Sequence, residues 1–124
     1  MRALIVSASS SRRHAWRDAA RGAGLQVLEA ECAAEALLAL RVVGVPELAL
    51  IDGSSPTSAE LVAHIRSQPG YQPLRLLLVA QEAGSDSPDC AALPGVDGIL
   101  PRRFTAETLD RKLDSIGLRR KESP

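Results

Sequence analysis

The sequence predicts an α/β domain built on a doubly wound, five-stranded parallel sheet. Three observations lead there. The apolar period switches repeatedly between strand-like and helix-like. The strand segments are short runs that are apolar at successive positions, as expected of strands buried on both faces. The connections between segments are short, which favours consecutive βα units with helices on both sides of the sheet. A chain of 124 residues, 45% of them hydrophobic, is enough for one domain with one real core.

Ala3-Leu4-Ile5-Val6 is the first apolar run. Ser9-Ser10-Ser11 offers N-caps for a helix reaching about Ala23, with Ala15, Trp16, Ala19, Ala20 and Ala23 on one face and Gly22 and Gly24 to stop it. Leu25 to Glu29 reads as a second strand, and the Ala- and Leu-rich stretch from about Cys32 to Val43 as a helix ended by Gly44 and Pro46. Leu48-Ala49-Leu50-Ile51 is a buried strand that delivers Asp52 at its end. After the turn Gly53-Ser54-Ser55-Pro56, Thr57-Ser58-Ala59-Glu60 fits a capping box opening a helix to about Ser67. Leu74 to Val79 is a fourth strand, and Ser87-Pro88 opens a short helix ended by Pro94-Gly95. Gly98-Ile99-Leu100 is a brief fifth strand, with Pro101 tolerable where that strand lies at the sheet edge. Thr105 caps a last helix with Leu109, Leu113 and Ile116 on one face. The domain is expected to span 1–118, and the polar stretch 119–124 to be a tail or the start of a linker.

Composition excludes several classes of function. Fifteen Lys and Arg balance fifteen Asp and Glu, which disfavours nucleic-acid binding by a broad basic face. Three aromatics, Trp16, Tyr71 and Phe104, are too few for a base-stacking platform. No apolar run approaches the roughly 18 residues of a membrane span, and the N-terminal stretch is too short for a signal peptide, so a cytoplasmic protein without membrane contact is expected. Cys32 and Cys90 belong to no metal-ligand spacing and are expected to be buried or half-buried free thiols. His14 and His64 lie at polar helix positions and read as surface histidines; Trp16 reads as core.

In open α/β sheets chemistry gathers at the carboxyl ends of the strands. Those ends carry Ser7 and Ala8, Glu29, Asp52, Ala80 and Gln81, and Pro101 with Arg102; Asp52 is the carboxylate that ends a central strand. The order and lengths of the βα units, Leu48-Ala49-Leu50-Ile51-Asp52 followed by Pro56, and Gly95-Val96-Asp97-Gly98-Ile99-Leu100 before Arg102 and Phe104 together resemble the receiver domain of bacterial two-component response regulators, over residues 2–118. The resemblance implies a flavodoxin-like (βα)5 fold with strand order 2-1-3-4-5. It also implies a phosphoryl-accepting aspartate at Asp52, surrounded in the family by an acidic pair that holds Mg²⁺, a Ser or Thr, and a Lys-Pro.

This chain departs from that pattern at each supporting position. Ser7 and Ala8 replace the acidic pair, Ala80 replaces the hydroxyl residue, Arg102-Arg103 replaces Lys-Pro, and Ile99 stands where the family has an aromatic switch residue. Without those carboxylates Mg²⁺ binding is expected to be weak or absent, and an electrostatic contribution to phosphoryl transfer goes with it. Glu29, at the end of the neighbouring strand, is expected to be exposed rather than a substitute ligand. Arg102 is a candidate ion partner for Asp52, since a guanidinium suits a carboxylate fork. The Arg102-Arg103 bond is expected to be trans, because a non-proline cis bond costs about 2.5–4 kcal/mol.

The expected function is therefore a receiver-like, non-enzymatic signalling module, unphosphorylated and without a cofactor, acting by contact with a protein partner. The residues from Pro101 onward carry an excess of three positive charges, and the face of the last helix is a candidate docking or homodimer surface. Two alternatives stand beside it. One is a genuine phosphoacceptor modified at Asp52 by a histidine kinase. The other is a small-anion or nucleotide-binding module using the Ser9-Ser10-Ser11-Arg12-Arg13 turn, which lacks the glycine spacing of nucleotide folds and reads first as a capped helix start with solvated charges.

Overall fold

The computed structural model describes residues 1–54, 57–79 and 95–118. Five parallel strands, β1 (Arg2–Val6), β2 (Gln26–Ala30), β3 (Leu48–Asp52), β4 (Arg75–Val79) and β5 (Gly98–Leu100), form one sheet in the order β2-β1-β3-β4-β5. Among the described residues four α-helices accompany them: α1 (Ser10–Gly22), α2 (Ala33–Val42), α3 (Ser58–Ser67) and α4 (Ala106–Ser115), with a 3₁₀ turn at Pro69–Tyr71. The predicted fold class and strand order are those observed. The helix expected from Ser87-Pro88, and Ala80, Gln81, Cys90 and the tail from Arg119, lie outside the described residues.

The apolar runs split between two cores because successive strand residues point to opposite faces. On one face Ile5, Leu50 and Leu77 meet Trp16 and Ala20 of α1, Phe104, and Leu109 and Leu113 of α4. On the other, Leu4, Ile51 and Leu78 meet Ala36 and Leu40 of α2 and Leu61, Val62 and Ile65 of α3. β3 is buried along its whole length, Asp52 included. The register pairs Val6 of β1 with Ile51 and Asp52 with Val79, so the chain leaving β1 runs beside Asp52 at the carboxyl edge.

The helix ends follow the predicted signals with one exception, at Thr57. Ser9 caps α1 by accepting from the Arg12 N–H at 3.3 Å, and Thr105 caps α4 by accepting from the Thr108 N–H at 3.2 Å. Gly24, at φ +88°, turns the chain out of α1 in the left-handed region that favours glycine. The capping box at Thr57 does not form. That residue sits at φ −99°, ψ 4°, not in the extended conformation that aims a cap side chain at the first turn, and makes no capping bond. Ala15 is exposed, because α1 turns its Trp16 and Ala20 side inward and leaves Ala15 to solvent. Cys32, expected to be at least half-buried, is exposed at the N-cap of α2, one residue ahead of Ala33, which packs half-buried against the core.

One polar network ties α3 to the β4–β5 side. Asp97 Oδ2 accepts from Arg66 Nη2 at 2.7 Å and from the Leu76 N–H at 2.8 Å, and its own N–H donates to the Leu76 carbonyl. Arg66 also donates to the carbonyls of Leu74 and Gly95. β5 has only three residues and a single neighbour, so this clamp supplements a short ladder. Asp97→Ala is expected to lower the unfolding free energy by about 2 kcal/mol, since it leaves Arg66 Nη2 and the partly buried Leu76 N–H without their acceptor. Arg75→Ala, which removes only a 3.5 Å contact from a half-exposed side chain, is expected to change it by less than about 0.5 kcal/mol. Urea unfolding of the two variants checks the contrast.

Candidate functional site

β3 ends by carrying a carboxylate into a nearly dry position: Asp52 is 5% exposed. An ionised carboxylate there needs hydrogen-bond donors, and three segments supply them. The turn after β3 provides the Ser54 N–H at 2.9 Å and the Ser54 hydroxyl at 2.6 Å, both to Oδ1. The end of β1 provides the Ser7 hydroxyl, donating to Oδ2 at 2.7 Å from a side chain that is itself buried. The first turn of α1 provides Arg12, whose Nη1 lies 3.1 Å from Oδ2 and donates also to Ser54 Oγ at 2.7 Å. Each carboxylate oxygen thus accepts two hydrogen bonds, which matches its lone-pair capacity.

The same segment holds itself in place. Ser7 Oγ accepts from the Ser9 N–H, and the Ser7 carbonyl accepts from Arg13 Nη1 at 2.7 Å. Arg13, buried, reaches on to Glu29 and Glu31 at 3.5 Å each. Glu29 is exposed, as expected, and faces Arg13 and Arg17 rather than Asp52. Arg12 and Arg13 were expected to be solvated charges at a capped helix start; both are instead bonded to the protein. That also spends the two guanidinium groups on which an anion site at this turn would depend.

Among the described residues the ion partner of Asp52 is Arg12, which corrects the pairing with Arg102 expected from sequence. The reason is geometric. α1 begins next to β1 and places its first turn over the end of β3, the neighbour of β1 in the sheet. Arg102 follows β5 at the far edge, two strands away from β3. It is half-buried, and its carbonyl accepts from the Trp16 indole N–H at 3.3 Å. The Arg102-Arg103 bond is trans. Ala8 is exposed beside the pocket, and Ile99 is half-buried against the core shared with α2 and α3. Trp16 is core, packed against Phe104 with ring centroids 6.2 Å apart, and His14 and His64 are exposed.

These residues do not fit a divalent cation. Mg²⁺ asks for several oxygen ligands in octahedral array, commonly more than one of them a carboxylate. Here a cation would meet one carboxylate, already engaged by four donors, and a guanidinium within 3.1 Å of it. Among the described residues no group of three or more His, Cys, Asp or Glu side chains is placed to hold a metal.

Burial by itself pushes the Asp52 carboxyl upward, but the hydrogen bonds from Ser54, Ser7 and Arg12 outweigh it and hold the pKa below the ordinary aspartate value. A carboxyl whose folded pKa is depressed contributes stability that is fully present above its unfolded value of about 4 and is lost as pH falls through the folded value. Asp52→Asn is therefore expected to flatten the acid limb of melting temperature against pH below about pH 4. Arg12→Ala is expected to lower the unfolding free energy by about 1–2 kcal/mol at pH 7. Arg102→Ala is expected to leave the acid limb as in the parent protein. Thermal melts of the three variants from pH 2.5 to 7 check all three outcomes.

Comparison with known proteins places this geometry. No family model matches the chain. A chemotaxis protein CheY homolog of Campylobacter jejuni is 28% identical over 119 residues, covering 94% of this chain and 92% of the relative. The chemotaxis response regulator CheY4 of Vibrio cholerae superposes with a TM-score of 0.76 at 26% identity, over 93% of this chain and 97% of its own. The signal receiver domain of a histidine kinase from Syntrophus aciditrophicus does so with a TM-score of 0.78 at 22% identity, over 99% and 96%. Fold, strand order and these likenesses agree: the chain has the fold of CheY-like receiver domains, and the relatives and structural neighbours it resembles are receivers of the two-component response-regulator kind.

Proposed function

We propose that this receiver domain works unphosphorylated, as a cytoplasmic signalling module that acts through protein contacts, with the Asp52 pocket held shut by Arg12 instead of being charged by a metal. The observation that supports this reading is the saturation of Asp52. Both of its oxygens accept two hydrogen bonds from the protein, and the nearest positive charge is a side chain tethered to α1. A carboxylate acting as a nucleophile needs an open lone pair and an electrophile brought to it by positive charge that also stabilises the transferring group. Arg12 and the two serines direct their donors at the carboxylate itself, so they lower its nucleophilicity and cover its approach. The network contributes stability and a fixed local geometry, which suits a docking module.

The exposed side of α4 carries Glu107, Arg111 and Asp114, while Leu109 and Leu113 face inward. Homodimerisation through this last helix, as expected from sequence, would join charged surfaces and depend strongly on ionic strength.

Amide NMR spectra recorded with Mg²⁺ and then with beryllofluoride, which stands in for a phosphoryl group on an aspartate, test the proposal. The expected outcome is a spectrum unchanged by either addition. Shifts spreading from Asp52 through Ser7 to Arg102 would overturn it in favour of a phosphoacceptor.

A further inference from the structure

Large apolar side chains left in solvent are few among the described residues, and three of the four belong to one place: Leu38 is 59% exposed, Val42 74% and Val43 47%. Leu38 and Val42 lie on α2 and Val43 is its C-cap. The core-facing side of α2 is set by Ala36 and Leu40, both buried. At 3.6 residues per turn Leu38 stands about 200° from each of them, directly on the far side of the helix. Ala34, exposed, and Val42 precede and follow it by four residues, so the solvent side of α2 is an apolar stripe over its length. A surface helix ordinarily turns polar residues outward, and a contiguous exposed apolar stripe marks a contact surface.

The charges around the stripe identify what covers it. The N-terminal end of α2 is acidic, with Glu31 and Glu35 both exposed. The C-terminal end is basic, with Arg41 exposed and the Arg2 guanidinium lying against Gly44. Glu35 and Arg41 stand three positions before and after Leu38, as Ala34 and Val42 stand four before and after it. A surface with this layout is complementary to itself turned end for end. A two-fold axis passing beside Leu38 brings Glu35 of one copy to the level of Arg41 of the other, sets Ala34 against Val42, and opposes the helix dipoles. We propose that the α2 face is the interface of an antiparallel, two-fold homodimer of this chain, centred on Leu38. The inference does not depend on the state of Asp52, which lies at the carboxyl edge of the sheet and not on this helix.

The stripe is one helix long, which places the contact at the small end of specific interfaces and its dissociation constant in a roughly micromolar range. Sedimentation equilibrium of the full chain from about 5 µM to 1 mM is the test. A monomer–dimer equilibrium is expected, weakened at least tenfold by Leu38→Lys, a substitution at a solvent-facing position that circular dichroism should show to be folded. Glu35→Arg and Arg41→Glu are each expected to weaken the dimer about fivefold. An equimolar mixture of those two variants is expected to associate more tightly than either alone, because acidic and basic ends then meet at every position. Arg111→Glu on α4 is expected to change nothing. A monomer throughout the range, a dimer that survives Leu38→Lys, a dimer dissolved by Arg111→Glu, or a mixture no tighter than its components would each overturn the proposal. None of these outcomes bears on the Mg²⁺ and beryllofluoride result, so the two readings stand or fall separately.

Discussion

A carboxylate delivered by a fully buried strand to a nearly dry position is the constraint around which the carboxyl edge of this domain is built. β3 has no freedom to withdraw Asp52, because its other four residues are fixed in both cores at once. The charge must therefore be met where it lies, and the neighbouring elements are shaped to do so. Ser7 ends β1 with a hydroxyl, Ser54 folds the turn back toward the carboxylate, and α1 starts with a serine cap that sets Arg12 within reach. Breaking such an arrangement by removing one partner costs more than its formation adds, since the remaining charge stays desolvated. That asymmetry makes the pocket a point of rigidity.

Much of the fold was legible in the sequence, because the physics that sets it is local or periodic. Runs such as Leu48-Ala49-Leu50-Ile51 can only be satisfied between two helical layers, and Ser9, Gly24 and Thr105 mark helix ends by chemistry confined to a few residues. The failures fall where local chemistry is overruled by tertiary placement. Thr57-Ser58-Ala59-Glu60 has the letters of a capping box, but the turn after β3 delivers Thr57 in a conformation that cannot use them. Cys32 and Ala15 are small and apolar, which favours the interior, yet both are exposed.

The candidate site was half legible. Asp52 could be found from its strand alone. Its ion partner could not be found by inspecting the end of the last strand, because the pairing joins residues 40 positions apart through the adjacency of β1 and β3. A signal was nevertheless present. Arg12 and Arg13 occupy the first turn of α1, which has no acidic residue, although cations at a helix N-terminus oppose the helix dipole. Two arginines at that disfavoured position indicate acceptors nearby that outweigh the cost, and the structure supplies them in Asp52, Ser54 and the Ser7 carbonyl.

The hydrogen bond from the Trp16 indole to the Arg102 carbonyl gives α1 a second anchorage. Arg12 and Trp16 are one helical turn apart, so a single rigid segment is pinned at one point to the central strand and at another to the connection leading into α4. In mechanical terms α1 is a strut spanning the sheet edge. The central strand and the connection after β5 are thereby joined through one helix, by two side chains on adjacent turns.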